Sequence, residues 1–243
     1  MIRFVLASMF LVTVYFAGGA GANYPVHPSL DRGTLLKIAV IDTGFDISRA
    51  QGQPKLCKSG HYDFAAKKAV VGFSSAHGTI VSSILAEGLE DVNYCIIAYN
   101  VQVRGRVDMP SVYEALRRAR REGVVAVNMS LEGVLHSFSE VRELELTARR
   151  GIATFIAAGN DNKNLDETCN SYPACYLVDN TYIVGALTVD PRGKAQFSNY
   201  GSRVTIWKEG FYEFHGQYTE GTSFAAPRAT SDYVLSLSRI QSK

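Results

Sequence analysis

A chain of 243 residues, 47% of them hydrophobic, with 25 Lys plus Arg against 23 Asp plus Glu, has the apolar content for one substantial core and little room for a second domain. The net charge of +2 comes without a face-long basic stripe. Charge therefore gives no support to nucleic acid or a membrane surface as partner.

The first residues, MIRFVLASMFLVTVYFAGGAGANYP, set Arg3 before an apolar run from Phe4 to Phe16, then small residues ending in Ala20, Gly21 and Ala22. That order predicts a cleaved signal peptide over 1–22, with 23–243 as the mature domain. The apolar run is short for a bilayer span, which takes about 20 residues; an uncleaved anchor is the lesser alternative, and no stable membrane association is expected after cleavage. Export to a secreted, periplasmic or other extracytoplasmic setting would place Cys57, Cys95, Cys169 and Cys175 where disulfides form. Three pairings exist. The short spacing of CNSYPAC favours Cys169 with Cys175, leaving Cys57 for Cys95, and the lack of a CxxC or of nearby histidines argues against zinc.

Along the chain, TLLKIAVID is a continuous apolar run that stops at Asp42 and the turn residues Thr43 and Gly44, the pattern of a strand buried on both faces. Similar runs lie at 94–103, 124–130, 152–160 and 182–187. Helical patterns separate them: GTIVSSILAEG after His77, 109–123 with Pro110 at its start and Gly123 past its end, and 137–151 with Ser137 or Ser139 as cap. The basic cluster Arg117, Arg118, Arg120 and Arg121 reads as a solvated helix face. Turn signals at 190–220 between short aromatic and β-branched runs predict hairpins, and a last helix spans about Ser223 to Ser238. The alternation predicts an α/β fold, a doubly wound and mostly parallel sheet with helices on both faces plus short C-terminal hairpins, with ligands outside the carboxyl ends of the strands.

Four polar residues end predicted strands or start predicted helices: Asp42, His77, Asn160 and Ser223. Alone, each has a bland reading as a turn, cap or structural residue. A doubly wound sheet gathers all four along one edge, and there they make a mechanism. A serine hydroxyl needs a base to act as a nucleophile; His77 suits that task, Asp42 would hold its imidazole, and the Asn160 amide could stabilise an oxyanion. Ser223 at a helix start would add main-chain N–H groups and the positive end of the helix dipole. Pro227 falls near the first turn of that helix, where a missing N–H costs little. The order Asp, His, Ser and the window GTSFA fit neither a GxSxG nucleophile elbow nor the His, Asp, Ser order of β-barrel enzymes.

The segments AVIDTGFD, HGTIVSSIL, VVAVNMSLEG, ATFIAAGN, YIVGAL and GTSFAAP together resemble, in order, the signature segments of the subtilisin-like serine proteases, over roughly residues 36–240. The resemblance implies an exported serine endopeptidase acting through an acyl-enzyme, with Asp42, His77 and Ser223 as triad and Asn160 at the oxyanion. It also implies a groove in which Ser130, Leu131, Glu132 and Gly133 pair with an extended polypeptide substrate, and a second pocket wall from Ala157, Ala158 and Gly159. Glu132 stands where the family has glycine, so a carboxylate at the pocket mouth would favour a basic residue before the scissile bond. Ile80 and Arg228 stand where histidines are common. Residues 23–41 leave no room for the usual folding propeptide, so folding would rest on disulfides or on another protein, and an inhibitor or chaperone partner is unknown. Asp46 is the one candidate calcium ligand; no cofactor and no required metal are expected. Two alternatives stand beside this reading: a catalytically silent binding protein of the same fold, and an esterase using the same triad.

Overall fold

The computed structural model describes residue 31 and residues 33–241; the expected signal peptide lies outside them. The chain runs β1 (Leu36–Asp42), β2 (Tyr62–Asp63), α1 (His77–Ala86), β3 (Tyr94–Asn100), β4 (Gln102–Val103), β5 (Arg106–Val107), α2 (Met109–Glu122), β6 (Ala126–Met129), α3 (Phe138–Ala148), β7 (Ala153–Ala157), β8 (Thr181–Leu187), β9 (Val204–Glu209), β10 (Phe211–Phe214), β11 (Gln217–Glu220) and α4 (Thr222–Gln241). Seven strands form one parallel sheet in the order β2-β3-β1-β6-β7-β8-β9. The chain crosses from one side of β1 to the other between β3 and β6, which creates a switch point outside the carboxyl ends of β1 and β6.

The apolar runs sort by the two-residue period of a strand. Leu36, Ile38 and Val40 of β1 face one core with Val81 and Leu85 of α1 and Ala225, Ala229 and Val234 of α4. Ala39 and Ile41 face the other core, with Val112 and Leu116 of α2 and Leu144 of α3. Helices thus cover both faces, as the α/β reading expected. Cys57 is bonded to Cys95 and Cys169 to Cys175.

Helix ends follow their caps. Asp108 accepts from Ser111 N at 3.0 Å, Ser137 rather than Ser139 caps α3, and Gly123 closes α2 in the left-handed region. Three expectations need correction. Within 190–220 only β10 and β11 pair as a hairpin; β9 joins β8 in parallel and completes the sheet. A further small hairpin, β4 with β5, interrupts the run expected at 94–103. The arginines of α2 are only in part a solvated face: Arg121 is exposed and pairs with Glu114 of its own helix, but the others also reach neighbouring elements. Arg117 and Arg120 both bond the buried Glu143 of α3, at 3.0 and 2.6 Å, and the Arg118 guanidinium lies 3.8 Å from the centre of the Tyr62 ring. They tie α2 to its neighbours.

Candidate active site

Asp42 is the last residue of β1 and 3% exposed. Its Oδ1 accepts from Thr43 N at 2.7 Å and His77 Nδ1 at 2.8 Å, and its Oδ2, although buried, has no hydrogen-bond partner among the described residues. A buried carboxylate with one oxygen unsatisfied favours a cation beside it. The charge of Asp42 accordingly raises the His77 pKa above the usual 6.5, against burial, which lowers it.

His77 opens α1, a helix without a side-chain cap of its own at Ala76. A neighbouring strand end serves instead: the Thr43 hydroxyl accepts from Gly78 N at 2.9 Å. Gly78 also permits the approach, since a Cβ there would lie 2.2 Å from the Gly44 carbonyl oxygen. The helix carrying the imidazole is thereby pressed onto the turn that follows Asp42.

Ser223 is the second residue of α4. Its Oγ lies 3.4 Å from the Ser130 carbonyl, and no hydrogen bond joins it to His77 among the described residues. The rings of His77 and of Phe224, the residue after Ser223, have centroids 5.7 Å apart. Pro227 is the sixth residue of α4, past the first turn where the sequence placed it, and the carbonyl that loses its i→i+4 donor is that of Ser223 itself. The Ser130 hydroxyl supplies the missing bond at 2.8 Å, while accepting from Asn128 Nδ2 at 2.9 Å; Thr230 Oγ1 donates to Asn128 Oδ1 at 3.1 Å. A polar clamp from β6 thus holds the start of α4.

Asn160 is oriented by Thr222. Its Oδ1 accepts from Thr222 N at 2.8 Å and from Thr222 Oγ1 at 3.0 Å, and Thr222 Oγ1 accepts from Gly159 N at 3.1 Å. With the oxygen occupied, the amide can present only its NH₂ to a ligand. Ser130–Gly133 and Ala157–Gly159 follow from adjacent strands β6 and β7 at the same edge. Leu131 and Glu132 make no main-chain hydrogen bond among the described residues, whereas Gly133 is paired in both directions with Tyr172. All the residues singled out in the sequence therefore meet at one edge. Thr43, Ser171, Asn199 and Thr222 also belong there and were not singled out; Thr43, inside AVIDTGFD, and Thr222, inside GTSFAAP, carried a local signal. Asp46 Oδ1 accepts from Ser48 N and Ser48 Oγ, as in a turn, and no group of three or more His, Cys, Asp or Glu stands together among the described residues.

Residues 33–242 match the model of the subtilase family. The chain belongs to that family. Subtilisin DY of Bacillus licheniformis is 26% identical over 222 residues, 86% of this subtilase and 78% of that relative. Subtilisin amylosacchariticus of Bacillus subtilis subsp. amylosacchariticus is 28% identical over 85% of this chain, which spans only 56% of that relative. A crystal structure of a cold adapted subtilisin-like serine proteinase superposes with a TM-score of 0.70 at 26% identity, covering 89% of this chain and 79% of the other. A lanthipeptide protease shares the fold with a TM-score of 0.73 at 20% identity, over 85% and 74% of the two chains. This subtilase is a serine-type endopeptidase, and its substrates are polypeptides. No helix among the described residues is long and apolar enough to cross a membrane.

Proposed function

We propose that Ser223, His77 and Asp42 are the catalytic triad and that peptide cleavage passes through an acyl-enzyme on Ser223. The bond of 2.8 Å between Asp42 Oδ1 and His77 Nδ1 carries this reading. It commits Nδ1 to the carboxylate and leaves Nε2 as the base that takes the proton of Ser223 Oγ. A change of rotamer about the Cα–Cβ bond of Ser223 would free the hydroxyl from the Ser130 carbonyl for the imidazole. As Oγ adds to the scissile carbonyl carbon, negative charge forms on the carbonyl oxygen. Asn160 Nδ2 and the Ser223 N–H at the start of α4 are the donors for it. His77 then returns the proton to the departing amine, and water hydrolyses the ester by the same path in reverse.

The unspent main-chain groups of Leu131 and Glu132 receive the peptide as an added strand, which favours peptides over small esters. The two disulfides favour work outside the cytoplasm, reached through the 1–22 leader. Labelling of the purified protein with a fluorophosphonate, lost in Ser223→Ala, tests the nucleophile; cleavage of a peptide library tests the substrate. An unlabelled wild type would leave only a silent binding protein, and labelling without peptide cleavage would favour an esterase.

A further inference from the structure

Glu132 and Ser171 meet where the two walls of the groove come together. The Ser171 hydroxyl, on a residue 2% exposed, lies 2.7 Å from Glu132 Oε1 and 3.1 Å from the Ala158 carbonyl oxygen. Gly159, in the left-handed region at φ +98°, leaves the gap between the walls open. A Cβ there would stand 2.6 Å from Glu132 Oε1, 2.7 Å from Ser171 Oγ and 2.4 Å from Asn199 Nδ2. The carboxylate of an otherwise exposed residue is therefore drawn inward against the opposite wall. Asn199 Nδ2 donates to the Ala158 carbonyl, so the backing of that wall is itself fixed. The disulfide between Cys169 and Cys175 ties down the short segment that carries Ser171.

No Lys or Arg is paired with Glu132 among the described residues. Glu132 accepts one side-chain hydrogen bond, from Ser171, whereas Glu143 is paired with Arg117 and Arg120. Glu132 is thus an exposed residue whose Oε1 is held by Ser171 Oγ at 2.7 Å. It lies two residues beyond Ser130, whose carbonyl touches the Ser223 hydroxyl. The carboxylate is therefore carried on the same short segment that touches the Ser223 hydroxyl.

We propose that Glu132, positioned by Ser171, is the receptor for a basic side chain, so that this subtilase cleaves after lysine or arginine. The proposal rests on the endopeptidase reading above. The ammonium or guanidinium would take the oxygens of Glu132 not used by Ser171, a charge-assisted hydrogen bond shielded by the pocket walls. An uncharged residue of the same length would leave the carboxylate with Ser171 as its one side-chain partner and gain no charge-assisted bond.

The test uses active-site-directed peptidyl phosphonates with arginine, norleucine or alanine at the residue that acylates the serine, applied to the full mature protein. Arginine is expected to react at least about tenfold faster than norleucine, the scale of one charge-assisted contact. This ratio is expected to fall toward one in Glu132→Gln, which keeps the shape and removes the charge. It should also fall, by less, in Ser171→Ala and at high salt. Because each ratio is internal to one protein, partial misfolding does not mimic the effect. A wild type that prefers alanine, with Glu132→Gly admitting norleucine, would show the carboxylate to be a plug and overturn the proposal. So would an arginine preference unchanged in Glu132→Gln. A parallel fluorophosphonate reaction on the wild type separates the two levels: labelling without arginine preference refutes only the receptor, while no labelling refutes the enzyme and the receptor with it.

Discussion

At the scale of single residues, the Asp42–His77 contact fixes a pH dependence. The carboxylate raises the imidazole pKa above 6.5, and the neutral imidazole is the form that accepts the serine proton. The value of kcat/KM is therefore expected to fall as pH drops through a midpoint above 6.5. Asp42→Asn removes the main cause, so the midpoint should move down while kcat drops by about 10⁴-fold. A midpoint that stays put in this variant would assign the titration to another group. Asn160→Ala removes the candidate oxyanion donor and is expected to lower kcat by roughly 10²- to 10³-fold with little change in KM, measured on one peptide substrate. These four residues were legible in the sequence because each is a polar residue at the abrupt end of an apolar run or the start of a helix. Ser171 and Asn199 were not. Their roles arise from contacts between segments far apart in sequence, to which no local pattern corresponds.

At the scale of elements, α4 begins with a broken hydrogen-bond ladder mended from outside. Removing the Ser130 hydroxyl leaves the Ser223 carbonyl without a donor at a part-buried position, at an expected cost of about 1 kcal/mol. Pro227→Ala returns an N–H four residues after Ser223. Ser130→Ala is then expected to cost less in that background, and denaturant unfolding of the four proteins in a double-mutant cycle reads the coupling. Strictly additive losses would mean that the serine hydroxyl does not substitute for the proline's missing donor. The central strands and the caps were plain in the sequence, since both rest on local patterns. β9 was read as part of a hairpin because VTIWKE, an edge strand with one buried residue in six, lacks the continuous apolar run of its neighbours. Arg117 and Arg120 looked solvated because their partner, Glu143, is on another helix.

At the scale of the whole molecule, two features set stability. The Cys57–Cys95 bond spans 38 residues, and by loop-closure entropy its removal through paired alanine substitutions is expected to cost about 4 kcal/mol in denaturant titrations. Glu140 is 1% exposed, accepts one bond from the Tyr176 hydroxyl at 2.9 Å and leaves Oε1 unpartnered among the described residues. Burial pushes its pKa up to about 7 from 4.5. The folded protein thus keeps a proton that the unfolded chain releases above pH 4.5. Glu140 therefore gives a stability that is full below pH 4.5, declines as pH rises to about 7 and is level beyond, a fall of about 3 kcal/mol. His77, also raised, adds a loss of the same sign, so the difference between wild type and Glu140→Gln isolates Glu140. Parallel stability curves for the two proteins would refute the assignment. The doubly wound arrangement itself was legible, because continuous apolar runs alternating with amphipathic helices admit few other packings.

Ser223 belongs to the last helix, while the residues that would activate it belong to the first strand and the first helix. During synthesis the ribosome releases the base and its carboxylate early and the nucleophile near the end, and α4 must then dock across β6, β7 and β8 before Ser130 can seat it. A growing chain therefore carries no assembled cutting centre. The same connectivity that gathers the site at one sheet edge thus makes the docking of α4 the step that brings its parts together.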